Sequence, residues 1–403
     1  MSAGRRRSVR GATAALSIVA VMSVLSGCTS DPTYSDAITQ APGLDTIGRP
    51  QISVTGWGQK PMKDEAVGVM PGARITVTAH YGNLDSVVVT GPDGPVRGHT
   101  SPDGANWVND EALDYGAQYT LTAAARGVEG QGARRVAFTT ASAESFADVS
   151  TITNDGETVG VGQPVVINFD QPITDKLNAQ RAIAVTTDPP VEGAFYWVND
   201  SMLRWRPEHF WAPGTKVKVA ARLKGIDLGG GVFGQNDLTT SFTVGRRFVA
   251  IADDKTKMIT IYVNGRVVKT MPTSMGKDST PTNNGIYIVA EREPSVIMDS
   301  STYGVPVNSP EGYKETVYDA TRISFSGIYV HSAPWSLGDQ GNTDVSNGCL
   351  NVSPDNAEWF LTHALRGDIV IAKNTVGPPL PGDDGLGDWN VPWSVWKRGN
   401  ANS

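Results

Sequence analysis

Reactive chemistry in this 403-residue chain gathers at one thiol. Cys349 stands in Ser346-Asn347-Gly348-Cys349-Leu350-Asn351, and fourteen residues, Ser332 to Val345, separate that segment from Ile328-Tyr329-Val330-His331. A thiol becomes a nucleophile when a base beside it takes its proton, and a strand ending in His followed by a loop that returns to Cys supplies such a base. Chemistry alone does not choose between His331 and His363, which follows Cys349; the other three histidines, His80, His99 and His209, lie far upstream. Nor does it dismiss the plainer reading of Cys349 as a small buried hydrophobe. The sequence has no Cys/His cluster at metal-ligand spacing and no phosphate-binding Gly-rich loop, so no metal and no other cofactor is expected.

The N-terminus reads as an export signal. Arg5, Arg6, Arg7 and Arg10 precede an uncharged, mostly apolar run from Gly11 to Val24, too short to span a bilayer. Leu25-Ser26-Gly27-Cys28 resembles a bacterial lipobox, which assigns Cys28 to lipidation and residues 1–27 to a lipoprotein signal peptide. With Cys28 taken, Cys349 is a lone thiol in an oxidising compartment, a setting that invites a catalytic use. Residues 28–50 form a lipidated flexible spacer, broken by Asp31-Pro32, Ala41-Pro42-Gly43 and Arg49-Pro50, with a reach of roughly 75 Å. The expected location is the outer face of the cell membrane, anchored by lipid in the periplasm-like space beneath the cell wall. The formal charge is -7 and the signal region carries four Arg and no acid, so the exported chain is more acidic still and no nucleic-acid partner is expected.

The elements that must position the thiol are mainly strands. With 44 Gly, 25 Pro and only 19% charged residues, the composition favours turn-rich β structure. Residues 51–143 and 144–245 each read as an immunoglobulin-like β-sandwich, from short alternating runs such as Arg74–Thr78 and Val165–Phe169 between Gly/Pro/Asp turns. Trp107, Gly116, Tyr119, Leu121, Ala123 and Gly127 fall 98 residues before Trp205, Gly214, Val217, Val219, Ala221 and Gly225, one sandwich apart, which makes the two indoles core aromatics. The literal recurrence of Trp-Val-Asn-Asp at 107 and 197 has a different offset and is read as coincidence. Neither sandwich holds a site-like titratable cluster, so both are expected to act as spacers. Residues 246–374 form a third, β-rich domain with a short helix. Asn264-Gly265 marks a hairpin there, and Ser353 as N-cap, Pro354 at the first turn, apolar Ala357, Phe360, Leu361 and Ala364, and Gly367 as stop mark the helix. Residues 375–403 are a Trp-rich extension expected to pack back on the third domain.

The segment from His331 to Asn351 resembles the signature of YkuD-type L,D-transpeptidases: a His, a stretch of similar length, then Ser/Thr-His-Gly-Cys, a hydrophobic residue and Asn. Ser274–Lys277, Thr280–Tyr287, Met298–Gly304, His331–Trp335 and Gly385–Asn390 are similar to further stretches of the family's mycobacterial-type members, and a lipobox followed by two sandwiches fits its three-domain lipoproteins. The resemblance implies a cysteine acyltransferase acting on peptidoglycan stem peptides. Cys349 would attack a tetrapeptide donor and hold a thioester, and the side-chain amine of a diamino-acid acceptor would resolve it into a 3→3 cross-link in cell-wall biogenesis. It implies His331 as the base, Ser332 as the residue whose carbonyl orients the imidazole, and backbone N–H groups around Gly348 and Cys349 as the oxyanion hole. Tyr313, Ser326, Gly327 and Asn351, with Asn347 and Trp335, match the substrate cleft, the loop from about Ser300 to Tyr318 matches a lid, and carbapenems are implied as inhibitors.

One position departs from that signature: Asn347 stands where the family has His. An amide donates and accepts hydrogen bonds but carries no proton at neutral pH. Because an acyl-enzyme is common to both, the sequence leaves an L,D-carboxypeptidase open beside the transpeptidase. Asn347 also leaves open a catalytically weakened wall-binding lipoprotein.

Overall fold

The computed structural model describes residues 48–402 apart from 57–58 and 310–311, so the signal peptide, Cys28 and nearly all of the spacer lie outside the described residues. In the first sandwich one sheet orders Gln51–Thr55, Thr76–His80, Asn106–Asn109 and Gly98–Thr100. The facing sheet orders Ala66–Val69, Gly130–Thr140, Gln118–Gly127, Asn83–Gly91 and Gly94–Pro95. The second sandwich repeats this order: Val149–Ser150, Val165–Phe169, Met202–Pro207 and Gly193–Asn199 face Glu157–Val159, Leu238–Val244, Lys216–Ala221 and Ile183–Asp188. A parallel pairing also recurs in the equivalent place, Ala66–Val69 with Gly130–Thr140 and Glu157–Val159 with Leu238–Val244. Trp107 and Trp205 occupy matching strands and are buried, each seated against a glycine of the neighbouring strand. A Cβ on Gly98 or Gly193 would come within 2.1 Å of its indole. Trp197 lies on the strand beside Trp205, so the recurring tetrapeptide is not the repeat.

The third domain has two sheets. Five strands run in the order Arg266–Pro272, Met258–Val263, Phe248–Asp253, Ile369–Lys373 and Gly285–Ile288, and four in the order Glu291–Asp299, Lys314–Arg322, Tyr329–Ser332 and Leu350–Val352. The Asn264-Gly265 turn takes positive φ at both residues (51° and 82°), as a two-residue hairpin of this hand requires. The helix spans Pro354–His363; the Ser353 side chain accepts from Asn356 N–H, and Ala357 and Phe360 are buried between the sheets' apolar faces. The segment expected as a loop to Tyr318 stops at Tyr313. From Lys314 onward the chain is a strand paired antiparallel with Glu291–Asp299, Met298 opposite Glu315.

The packing goes further than two expectations. The second sandwich is not a detached spacer: Ile288, Ile369 and Leu386 share one core with Val159, Val161 and Trp211. Gly160 and Gly162 N–H groups donate to the Arg366 and Gly367 carbonyls at 2.7 and 2.8 Å. The C-terminal extension, expected on the third domain, straps both. Leu380 and Asn390 pack against the third domain, while the Trp389 and Trp396 indole N–H groups donate to Gly162 O (2.7 Å) and Ala194 O (2.8 Å) of the sandwich. The physical reason is an open edge: Gly193–Asn199 ends its sheet, and Trp396 and Asn400 take up the backbone groups it leaves unpaired.

Candidate active site

His331 and Cys349 meet because two neighbouring strands run parallel. Val330 pairs with Leu350, His331 with Asn351 and Ser332 with Val352. Val330, Leu350 and Val352 turn into the main apolar core. Strand alternation therefore sends Tyr329, His331, Cys349 and Asn351 to the opposite face. A one-residue slip would bury His331 in that core, so apolar pairing fixes the catalytic register. Cys349 lies among Val317, Ala320 and Tyr329, only 8% exposed.

A cradle holds the Cys349 turn. Ser274 and Asn351 exchange backbone hydrogen bonds at 3.0 Å, Ser346 N–H donates to Met275 O (3.0 Å), and Lys277 N–H donates to Ser346 O (3.0 Å). Asp344, paired with Lys257, accepts from Met275 N–H at 2.8 Å. Ser346 Oγ donates to Cys349 O (2.7 Å) and accepts from Gly348 N–H (3.1 Å), and Thr282 Oγ1 donates to Gly348 O (2.7 Å). The Gly348 N–H, expected as one of the oxyanion donors, is thus engaged by Ser346 Oγ. What Gly348 contributes is conformation, with φ +119° and a Cβ position only 2.8 Å from Ile328 Cδ1.

The electrostatics define a neutral pair. Burial pushes the Cys349 thiol up to about 11, against a smaller opposing effect of the Tyr329 backbone. Burial likewise lowers His331 below its ordinary 6.5, with hydrogen bonds to the Ser332 backbone and to Asn351 pulling the other way. His331 Nδ1 lies 3.0 Å from Ser332 O. A carbonyl only accepts, so Nδ1 carries the hydrogen and Nε2 keeps its lone pair as the basic atom. The thiol hydrogen points at Gly327 O, 3.5 Å from Sγ, and a turn about the Cβ–Sγ bond redirects it.

The other sequence-predicted residues converge here. A cavity of about 160 Å³ is lined by Cys349, His331, Trp335, Asn351 and Glu315, and one of about 420 Å³ by Ser326, Gly327, Tyr329, Phe325 and Arg322. Met298, Tyr313 and Asn347 line both and form the ridge between them. Tyr313 is fixed at the stem of its loop, its N–H donating to Ser300 Oγ (2.9 Å) and its carbonyl accepting from Ser300 N–H (3.0 Å). Trp335 stands beside the His331 ring, centroids 6.1 Å apart. Exposed Asn347 accepts from Thr280 Oγ1 at 3.4 Å. His363 lines neither cavity: it is exposed on the helix, stacked on Trp359 at 4.1 Å. Sequence reading assigned no role to Ser346, Thr282, Glu315 or Asp384; the first three fell within stretches already noted as similar to the family, and Asp384 fell in none.

Fold and site together define the class: a YkuD catalytic domain carried on immunoglobulin-like repeats. Residues 66–227 match the family model of the bacterial Ig domain, and residues 247–371 that of the L,D-transpeptidase catalytic domain. L,D-transpeptidase 2 of Mycobacterium tuberculosis (strain CDC 1551 / Oshkosh) is 52% identical over 404 residues, covering 99% of this chain and 97% of the relative. L,D-transpeptidase 5 of M. tuberculosis (strain ATCC 25618 / H37Rv) is 35% identical over 344 residues, 83% of this chain and 74% of the relative. A solved structure of the LD transpeptidase LdtMt1 in complex with imipenem aligns with a TM-score of 0.49 at 39% identity, covering 56% of this chain and 97% of that one. The chain belongs to the L,D-transpeptidase family.

Proposed function

We propose that this protein forms 3→3 cross-links between peptidoglycan stem peptides through a thioester on Cys349, and that carbapenems inhibit it by acylating the same thiol. The observation that carries the reading is a pair of adjoining cavities that share Met298, Tyr313 and Asn347, with Cys349 and His331 lining the smaller and the Ser326–Tyr329 wall the larger. A tetrapeptide donor lying along the larger cavity brings the carbonyl of its third, diamino-acid residue to Sγ. As the S–C bond forms, His331 Nε2 takes the thiol proton. The amide to the terminal D-Ala then breaks, and the imidazolium protonates the departing amine. The side-chain amine of a second stem enters from the smaller cavity and attacks the thioester. His331 accepts its proton and returns one to the leaving thiolate, so the enzyme emerges unchanged. With Gly348 N–H engaged, the Cys349 N–H is the backbone donor of choice for the oxyanion. A lipid on Cys28 would hold this chemistry at the outer membrane face, within a spacer's reach of the wall.

Incubation of the purified protein with a disaccharide-tetrapeptide, followed by mass spectrometry, tests this. Release of D-Ala with formation of a 3→3 dimer is expected. Release of D-Ala with tripeptide alone would make it an L,D-carboxypeptidase, and an unconsumed substrate would remove both readings in favour of a wall-binding lipoprotein.

A further inference from the structure

Asp384 lies in the C-terminal extension, yet its carboxylate is directed wholly at one turn of the site. Oδ1 accepts from the Phe325 and Ser326 N–H groups, both at 2.8 Å, and Oδ2 accepts from Ser326 Oγ at 2.6 Å. That turn is closed at its base by Ile323 N–H donating to Ile328 O (2.9 Å) and by Ile328 N–H donating to Ser324 Oγ (2.9 Å). It forms a wall of the larger cavity, and its Gly327 carbonyl is the group that receives the Cys349 thiol. The extension is itself anchored: the Gly385 carbonyl accepts from buried Arg204 of the second sandwich at 2.8 Å. Gly385 also approaches the turn so closely that a Cβ there would meet Ser324 Cα at 2.9 Å.

We propose that Asp384 is a positioning residue for the nucleophile. Its carboxylate fixes the Phe325–Gly327 turn, and the turn sets both the direction of the Cys349 thiol and the surface along which the acyl donor lies. The inference rests on the reading of Cys349 as the acylated nucleophile. An amide oxygen at position 384 can accept the same two N–H bonds, whereas alanine can accept none. Position, not charge, is therefore what the side chain supplies. The titratable groups around the thiol are His331, Glu315 and Tyr313, which line its cavity, and Tyr329 and Tyr287, which feel its charge, and any change in thiol titration is read against them.

The test compares the full chain with Asp384→Asn and Asp384→Ala, measuring the second-order rate of imipenem acylation and, separately, the pH dependence of Cys349 alkylation by iodoacetamide. Asp384→Ala is expected to slow acylation at least about tenfold, within the ~10²-fold that a 1 Å misplacement can cost. Its alkylation profile should move to lower pH, because the Gly327 carbonyl no longer holds the S–H. Asp384→Asn is expected to acylate within about threefold of the unaltered chain. An alanine variant that acylates normally, or an asparagine variant that falls equally far, would overturn the proposal. Should the alanine variant fail to fold, hydrogen exchange in the unaltered protein decides: the Phe325 and Ser326 amides must be protected, and free exchange there would overturn it as well. If the unaltered chain takes no imipenem while its alkylation profile still responds to Asp384→Ala, the functional reading fails and the positioning role stands.

Discussion

Cys349 and His331 rest as thiol and imidazole, because burial raises one and lowers the other. Proton transfer therefore accompanies attack, and the working form of His331 is neutral. Acylation by a carbapenem should accordingly rise through the lowered His331 pKa, below 6.5, and level off at neutral pH. Below that pKa the imidazolium has no lone pair to offer. Alkylation by iodoacetamide, which needs only thiolate, should keep climbing toward about 11. Stopped-flow rates across pH 5 to 10 for both reagents check this; parallel profiles would mean a resting thiolate. In His331→Ala the plateau should be lost with a fall of ~10²–10⁴-fold. Asn347 stands on the ridge between the cavities and is exposed, so Asn347→His should raise acylation by less than about tenfold, ~1.4 kcal/mol of transition-state stabilisation. A gain of several hundredfold in the same assay would mark the natural chain as a crippled member. A thiol with a histidine base was legible from residue type and spacing, and the family resemblance chose His331 over His363. The Ser346 clamp was not, because it depends on which backbone group the folded loop brings to a hydroxyl.

The strands that carry these residues were legible in proportion to how locally they are determined. The Asn264-Gly265 hairpin and the Ser353-capped helix follow from neighbouring residues alone. The strand Lys314–Arg322 did not, since its first half is written in exposed polar residues and is fixed by register against Glu291–Asp299. The C-terminal extension packs on the third domain as expected, and its hold on the second sandwich was not legible for a related reason. Its tryptophans show only that it packs, and their partners are carbonyls of a turn, at Gly162, and of a sheet edge, at Ala194, 227 and 202 residues away. Arg206, held between the Trp389 and Trp396 rings at 4.7 and 4.5 Å, and the fully buried Arg204–Asp388 pair at 2.8 Å complete that joint. Asp388→Ala would strand a buried guanidinium, and should cost ~3–5 kcal/mol in urea denaturation. A loss under about 1 kcal/mol, the range of an exposed pair, would show that the joint is open to water.

On the scale of the whole molecule, the repeat of two sandwiches was legible, but the division of labour between them was not. The second sandwich, the third domain and the extension share a core and a buried ion pair. A chain beginning near residue 144 should therefore retain carbapenem acylation. One beginning near 246 would leave Asp388, Trp389 and Trp396 without their partners, and should lose cooperative thermal unfolding. Calorimetry on both truncations checks this, and a sharp transition in the shorter one would return the second sandwich to the role of a spacer. The central claim, an acyl-enzyme on Cys349, is tested most directly by intact mass spectrometry of the full chain and Cys349→Ala after exposure to imipenem, with peptide mapping of any adduct. One imipenem mass per chain, located on Cys349 and missing from the equally folded alanine variant, is the predicted result. An unmodified natural chain, or an adduct that persists in Cys349→Ala, would contradict it.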